Sequence, residues 1–323
     1  MVRTFKVLRV LSLLGLVCIL LSVLLNRQAL HDWWLLRSYT PPLAVVQLAD
    51  QTTLTASGRR LFYVNHPAID DRMTFNTSCS NRGEQTIVLG CYHPVDQGIF
   101  VFHVADPRLE GVDQVTAAHE MLHAAYDRLG QSERTSLDQQ LNAFYKTNLH
   151  DDRIKRVIDS YKKTEPNDVV NEMHSIFATE VSDLPPGLEQ YYQKYFINRK
   201  FVVRYANQYQ SVFTSRQTQV ASYDARLTGL KQKIDASTIS LDQQEKLIIM
   251  LRTELDRTRG GNDIDTYNRL VPQYNAKIDT YNSLINAAKG MITQYNQIVA
   301  DRNNIALQVT ELAHAIDSKF QSL

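Results

Sequence analysis

The spacing of apolar residues changes along the chain, and each change predicts a different kind of element. Val10 to Leu25 is an uncharged apolar run of sixteen residues, preceded by Arg3, Lys6 and Arg9 and followed by Asn26 and Arg27. A transmembrane helix takes about 17–25 apolar residues, and Val7 and Leu8 extend the run if Arg9 reaches back to the headgroups. A secretory signal peptide competes with this reading. It requires small residues at a cleavage site, where Ala29 is present but Arg27 stands two positions before it, so an uncleaved anchor is preferred. Trp33 and Trp34 would then lie near the outer interface, and the basic residues would hold the N-terminus in the cytoplasm with everything after about residue 30 outside. The expected placement is a single-pass cell-membrane protein.

Between residues 40 and 104 the pattern is that of short strands. Leu43 to Leu48, Arg60 to Val64, Thr86 to Leu89 and Gly98 to Val104 are β-branched or aromatic runs separated by Pro, Gly, Asn and Asp. From Val112 to Val181 the period becomes helical. Val115, His119, Leu122, His123 and Tyr126 share one face, and Leu137, Leu141 and Phe144 line a second helix beginning at Ser132. Ile154, Val157, Ile158 and Tyr161 mark a third helix ended near Pro166, and Val169 to Val181 a fourth ended by Pro185-Pro186-Gly187. Strands followed by helices predict a compact α+β domain over residues 38–200, after an N-terminal tip and anchor over 1–37.

The last segment, 201–323, carries a heptad pattern. Phe213, Val220, Tyr223, Leu227, Leu230, Ile234, Leu241, Ile248, Leu251 and Leu255 keep the three/four spacing of heptads, and after Gly260-Gly261 the pairs Tyr267-Asn268, Tyr274-Asn275, Tyr281-Asn282 and Tyr295-Asn296 recur at multiples of seven. Two long helices joined by a glycine turn predict an antiparallel coiled-coil hairpin, with Pro272 kinking the start of the second arm or confining it to a first turn. Tyrosines at heptad spacing are read as packing. Such a seam can also join a protein partner or a second copy of the chain.

Composition narrows the function. Lys+Arg 35 against Asp+Glu 34 leaves a net charge of +1, so nothing in the balance suggests nucleic acid as a partner. A mean hydropathy of -0.30 excludes a multi-pass membrane protein. Of three cysteines, Cys18 lies in the apolar run, while Cys79 and Cys91 flank a turn-like cluster and are expected to form a disulfide stabilising by roughly 2–4 kcal/mol.

The chemistry is concentrated in Thr116-Ala117-Ala118-His119-Glu120-Met121-Leu122-His123. Histidines four apart lie one turn apart on the same helix face, so both imidazoles can bind one Zn²⁺, and Glu120 beside them can act as general base toward a metal-activated water. Two histidines on an alanine-lined face make poor ordinary core, because each buried ring nitrogen needs a partner. With Asn171-Glu172 on a later helix, the set His119, Glu120, His123, Glu172 resembles the gluzincin type of zinc metallopeptidase. The resemblance implies a zincin-like domain, His119, His123 and Glu172 as zinc ligands, and Glu120 as the base. Glu180, about 80° round the same helix from Glu172, is the rival third ligand. His174 can be a residue behind the ligands, a transition-state donor or a helix-surface residue, and Asp127 can orient His123 or be a solvated charge. The metzincin extension is absent, since Tyr126 occupies its glycine position. Gly98 to Val104 is read either as an edge strand holding an extended peptide or as a buried strand.

The function expected is that of a membrane-anchored extracytoplasmic zinc peptidase acting on a peptide or protein substrate. The alternative is a cell-surface scaffold or adhesin that works through the hairpin, with a structural or inactive zinc site.

Overall fold

A computed structural model describes residues 20–24, 26–79, 88–94 and 98–319, and the chain divides into two units, Met1–Ser211 with Ala313–Leu323, and Val212–Leu312. In the first unit, helix α1 (Arg27–Leu36) is held by Asp32, which is buried against Arg128 at 3.0 Å and Arg60 at 3.7 Å. Helix α2 (Leu43–Gln51) follows Pro41-Pro42 and buries Val45, Leu48 and Ala49. Helix α3 (Ala56–Val64) starts at Thr55, whose hydroxyl accepts from the Gly58 amide, and buries Gly58, Leu61 and Phe62. These helices replace the strands expected at Leu43 to Leu48 and Arg60 to Val64. Positions 45, 48, 49 and 58, 61, 62 repeat at three and four residues, and burial of that face outweighs the weaker, context-dependent β preference of branched and aromatic residues.

Strand β1 (Ala68–Asp70), helix α4 (Arg72–Ser78) and strands β2 (Gly90–His93) and β3 (Gly98–Phe102) follow. The sheet runs in the order β1-β3-β2, with β3 parallel to β1 and antiparallel to β2. The run Gly98 to Val104 therefore supplies the middle strand, not an edge. Of the strand expected at Thr86 to Leu89, residues 86 and 87 lie outside the described residues, and Val88 and Leu89 lead into β2. Cys79, just after α4, is bonded to Cys91 in β2.

One small sheet overturns the expected α+β, zincin-like domain; the described chain is chiefly helical. The single-pass membrane placement is also corrected, because among the described residues no helix is long and apolar enough to cross a membrane. Residues 10–19 and 25 of the apolar run lie outside the described residues. The outward assignment of the later domains rested on that span and falls with it.

The helical period from Val112 onward corresponds to α5 (Val112–Asp127), α6 (Gln131–Thr147), α7 (Asp152–Thr164) and α8 (Val169–Glu180), followed by the short α9 (Pro186–Tyr192). Helix α5 enters from Gly111, whose φ of 106° and 2.9 Å approach of a would-be Cβ to the Tyr205 carbonyl require glycine. Twelve of its sixteen residues are buried, four of them alanines, as suits a helix enclosed on most sides. Helix α8 is buried at ten of its twelve residues, and the carbonyls at its end are capped by Arg199, which donates to Ala178 at 3.0 Å, Val181 at 2.5 Å and Ser182 at 3.1 Å and pairs with Glu189. That guanidinium is only 4% exposed. It takes the place of a glycine C-cap.

The long helices α10 (Lys200–Gly260) and α11 (Ile264–Ile316) make up the second unit over residues 212–312. Their arms are antiparallel there, since Asp224 pairs with Arg302 at 3.0 Å and Arg216 donates to Gln308 at 3.2 Å. At the turn Asn262 takes a φ of 55°, and the Asp263 carboxylate accepts from the Thr266 amide, starting α11. Tyr267, Tyr274, Tyr281 and Tyr295 are half-buried along one face while the asparagines beside them are exposed. Pro272 stands inside α11, so the helix is not confined to a turn before it.

Candidate functional site

Three side chains from two helices converge in the first unit. His119 and His123 stand one turn apart on α5, with ring centroids 4.8 Å apart, and Glu172 rises from the first turn of α8. Glu172 Oε2 lies 3.4 Å from His119 Nε2 and Oε1 lies 3.5 Å from His123 Nε2, with all three side chains largely buried. These separations are long for charge-assisted hydrogen bonds, which run about 2.7–2.9 Å. One ligand atom from each of the three side chains lies within 4.8 Å of the others, close enough for a single ion to be shared among them. Two imidazoles and a carboxylate at this proximity are a donor set of the type that holds zinc. Glu165 and Asp168, at the entrance to α8, bring two further carboxylates within 4.8 Å of Glu172 and deepen the negative potential there.

The three donors line a cleft with a cavity of about 140 Å³. Glu120, next to His119 in sequence, lines the same cleft and is only 6% exposed. One wall is main chain from Val88 to Gly90, leading into β2. Gly90 lies so close to α5 that a Cβ there would stand 2.6 Å from Thr116 Cγ2 and 2.7 Å from both Cγ and Oε1 of Glu120. The far side is formed by Tyr161 of α7, Glu180 of α8 and Tyr209 of α10. Burial, then Glu180, pushes the Tyr209 hydroxyl well above its ordinary pKa, so it remains a donor.

Comparison with protein-family models, curated proteins and solved structures finds no match.

Each residue singled out in the sequence has a definite position. Glu180 borders the cleft but its Oε2 is held by Arg153 at 2.7 Å, outside the His119, His123, Glu172 group. His174 is fully buried on α8, with Nε2 3.1 Å from the Tyr191 hydroxyl and rings of Tyr126, Tyr191 and Tyr192 around it. Burial pushes its pKa far down, and it does not line the cleft. Asp127 is exposed at the end of α5. The sequence reading missed Gly90, Tyr161, Arg153 and Tyr209. Tyr161 and Tyr209 carry a helical period that reads as core, Arg153 reads as a surface charge, and Gly90 had only its place beside Cys91 to mark it.

Proposed function

We propose that this chain is a zinc-dependent peptidase of gluzincin-like ligand arrangement, with zinc held by His119, His123 and Glu172 and with Glu120 as general base. The observation that carries the reading is the convergence of His119, His123 and Glu172, largely buried and with ligand atoms within 4.8 Å of one another, in a cleft that Glu120 also lines. A bound zinc ion supplies Lewis acidity, which polarises a peptide carbonyl and lowers the pKa of water.

The chain's own residues do the rest. Glu120 accepts the proton of the attacking water as its oxygen bonds to the carbonyl carbon, and passes that proton to the amide nitrogen as the C–N bond breaks. Gly90 keeps the main chain of β2 close against Glu120, so the base has little room to turn away. Among the described residues β2 is an outer strand of the sheet and runs beside the cleft, where an extended peptide can add to its edge by main-chain hydrogen bonds. A structural zinc site is closed by four protein donors. Among the described residues only Glu172 joins the histidine pair, and this favours an open catalytic site over a scaffold with structural zinc.

The test is metal analysis of the purified chain combined with hydrolysis of an unfolded protein. One zinc per chain, hydrolysis abolished by chelator and restored by zinc, and loss of hydrolysis by orders of magnitude in Glu120→Gln with zinc retained are expected. Zinc-loaded protein that cleaves nothing, or full activity in Glu120→Gln, would refute the reading.

A further inference from the structure

The outer edge of β2 is not open along its whole length. Gly90, Cys91, Tyr92 and His93 face Val101, Phe100, Ile99 and Gly98 of β3, and the Phe102 amide donates to the Leu89 carbonyl at 2.8 Å, continuing that register. In an antiparallel pair, residues exchanging hydrogen bonds alternate with residues whose main-chain groups point the other way. Leu89, Cys91 and His93 are thus bonded toward β3, and Val88, Gly90 and Tyr92 turn their N–H and C=O groups to the outer edge. Gly90 is the position on that edge that lies against Glu120.

At Val88, two residues and about 7 Å from Gly90, the edge is already occupied. Ser318 Oγ donates to the Val88 carbonyl at 2.7 Å. Ser318 is 1% exposed, its own carbonyl receives Asn76 Nδ2 at 2.7 Å, and the His314 carbonyl receives Arg72 at 3.0 Å. Helix α4 thus clamps the end of the described chain beside the cleft, and residues 313–319 belong to the same unit as the site.

We propose that the segment 317–319 is a stop on the cleft strand. An extended peptide can pair with the β2 edge at Gly90, but Ser318 ends the pairing before Val88. The substrate class implied is a short peptide or a chain end, projecting no more than about two residues past Gly90 on that side, and internal sites of long chains are disfavoured. The inference rests on the peptidase reading and names its substrate length.

The test uses the full zinc-loaded chain, Ser318→Ala, and the chain ended after Ile316. Two peptides share one cleavable bond: one too short to reach Val88, the other long and unstructured. The ratio of kcat/KM for the long peptide to that for the short one is expected to rise about threefold to tenfold in Ser318→Ala, the size of one competing hydrogen bond removed, and at least as much in the shortened chain. Fluorescence anisotropy of the long peptide on Glu120→Gln, with and without Ser318→Ala, reads the same change without hydrolysis. Tighter binding on loss of Ser318 by a chain whose parent cleaves neither peptide would leave the stop standing and sink the peptidase. Hydrolysis with an unchanged ratio in both variants would overturn the stop and leave the peptidase. If the shortened chain does not fold, Ser318→Ala with an unchanged melting temperature carries the test, and equal loss on both peptides in that variant also overturns the stop.

Discussion

Gly90→Ala adds one methyl group at the tightest contact in the cleft. The new carbon would stand 2.7 Å from Cγ and Oε1 of Glu120 and 2.6 Å from Thr116 Cγ2, so about 0.7 Å must open before ordinary contact is restored. The strand cannot easily retreat, because β2 is paired to β3 and tied through Cys91 to Cys79. The Glu120 carboxylate is the end of a flexible side chain and gives way first. The nearest atom, Thr116 Cγ2, belongs to a stiff β-branched side chain, so stability should fall by about 1–3 kcal/mol. Displacing the base is far more costly to the reaction, since a misplacement of about 1 Å is worth on the order of 100-fold. We therefore expect kcat reduced about tenfold to 100-fold with KM little changed, and zinc content equal to the parent's because the three atoms nearest the new methyl belong to Thr116 and Glu120. Steady-state kinetics on a quenched peptide, metal analysis and a urea melt on the same preparation measure all three quantities. Parental kcat, or loss of zinc in place of loss of kcat, would refute the assignment of Gly90 to holding Glu120.

His119→Ala, His123→Ala and Glu172→Ala should each lower zinc occupancy, whereas Glu180→Gln should keep it, because Glu180 is committed to Arg153; metal analysis after dialysis reads both. Arg199→Met leaves the last carbonyls of α8 without their donor and Glu189 without its partner, and a urea melt should show a loss of about 3 kcal/mol. Cys79→Ser should cost about 3 kcal/mol by the same measurement, as expected for a short loop no longer closed in the unfolded chain. Tyr92 is pushed up to about 12, by burial first and then by Asp127. Its folded pKa thus lies above the unfolded value of about 10, so only the unfolded chain loses the proton just above pH 10; stability should fall there, and Tyr92→Phe should lessen the fall in melts taken from pH 9 to 11.

The helices from Val112 onward were legible because burial and period agree there: Leu137, Leu141 and Phe144 sit on one face of α6, and Ile154 and Ile158 on one face of α7. Between residues 43 and 64 residue type and period disagreed, and the period was right. Val45, Leu48 and Ala49 are spaced for a helix despite their β-branched company. The middle position of β3 was not legible, because strand order is fixed by partners that the alternation within one strand does not reveal. β1 is only three residues long, too short to give a period of its own.

At the site, legibility followed distance along the chain. His119, Glu120 and His123 are joined by one helical turn, so spacing alone placed them together. The third donor required a choice between two glutamates of one helix, and the helix itself does not make it, since Glu172 and Glu180 differ only in turn and azimuth. What separates them is Arg153, on α7, which holds Glu180 at 2.7 Å while leaving it in the cleft wall. A guanidinium on a polar helix carries no mark in the sequence of the carboxylate it will meet 27 positions later. Gly90 and Ser318 are further cases of the same kind. Ser318 meets Val88 across 230 positions, and both contacts act on the backbone of one strand, where side-chain patterns say least. Candidate donors one helical turn apart can be read from local spacing, but the partner of a distant carboxylate and the cover of a strand edge are set by the rest of the chain.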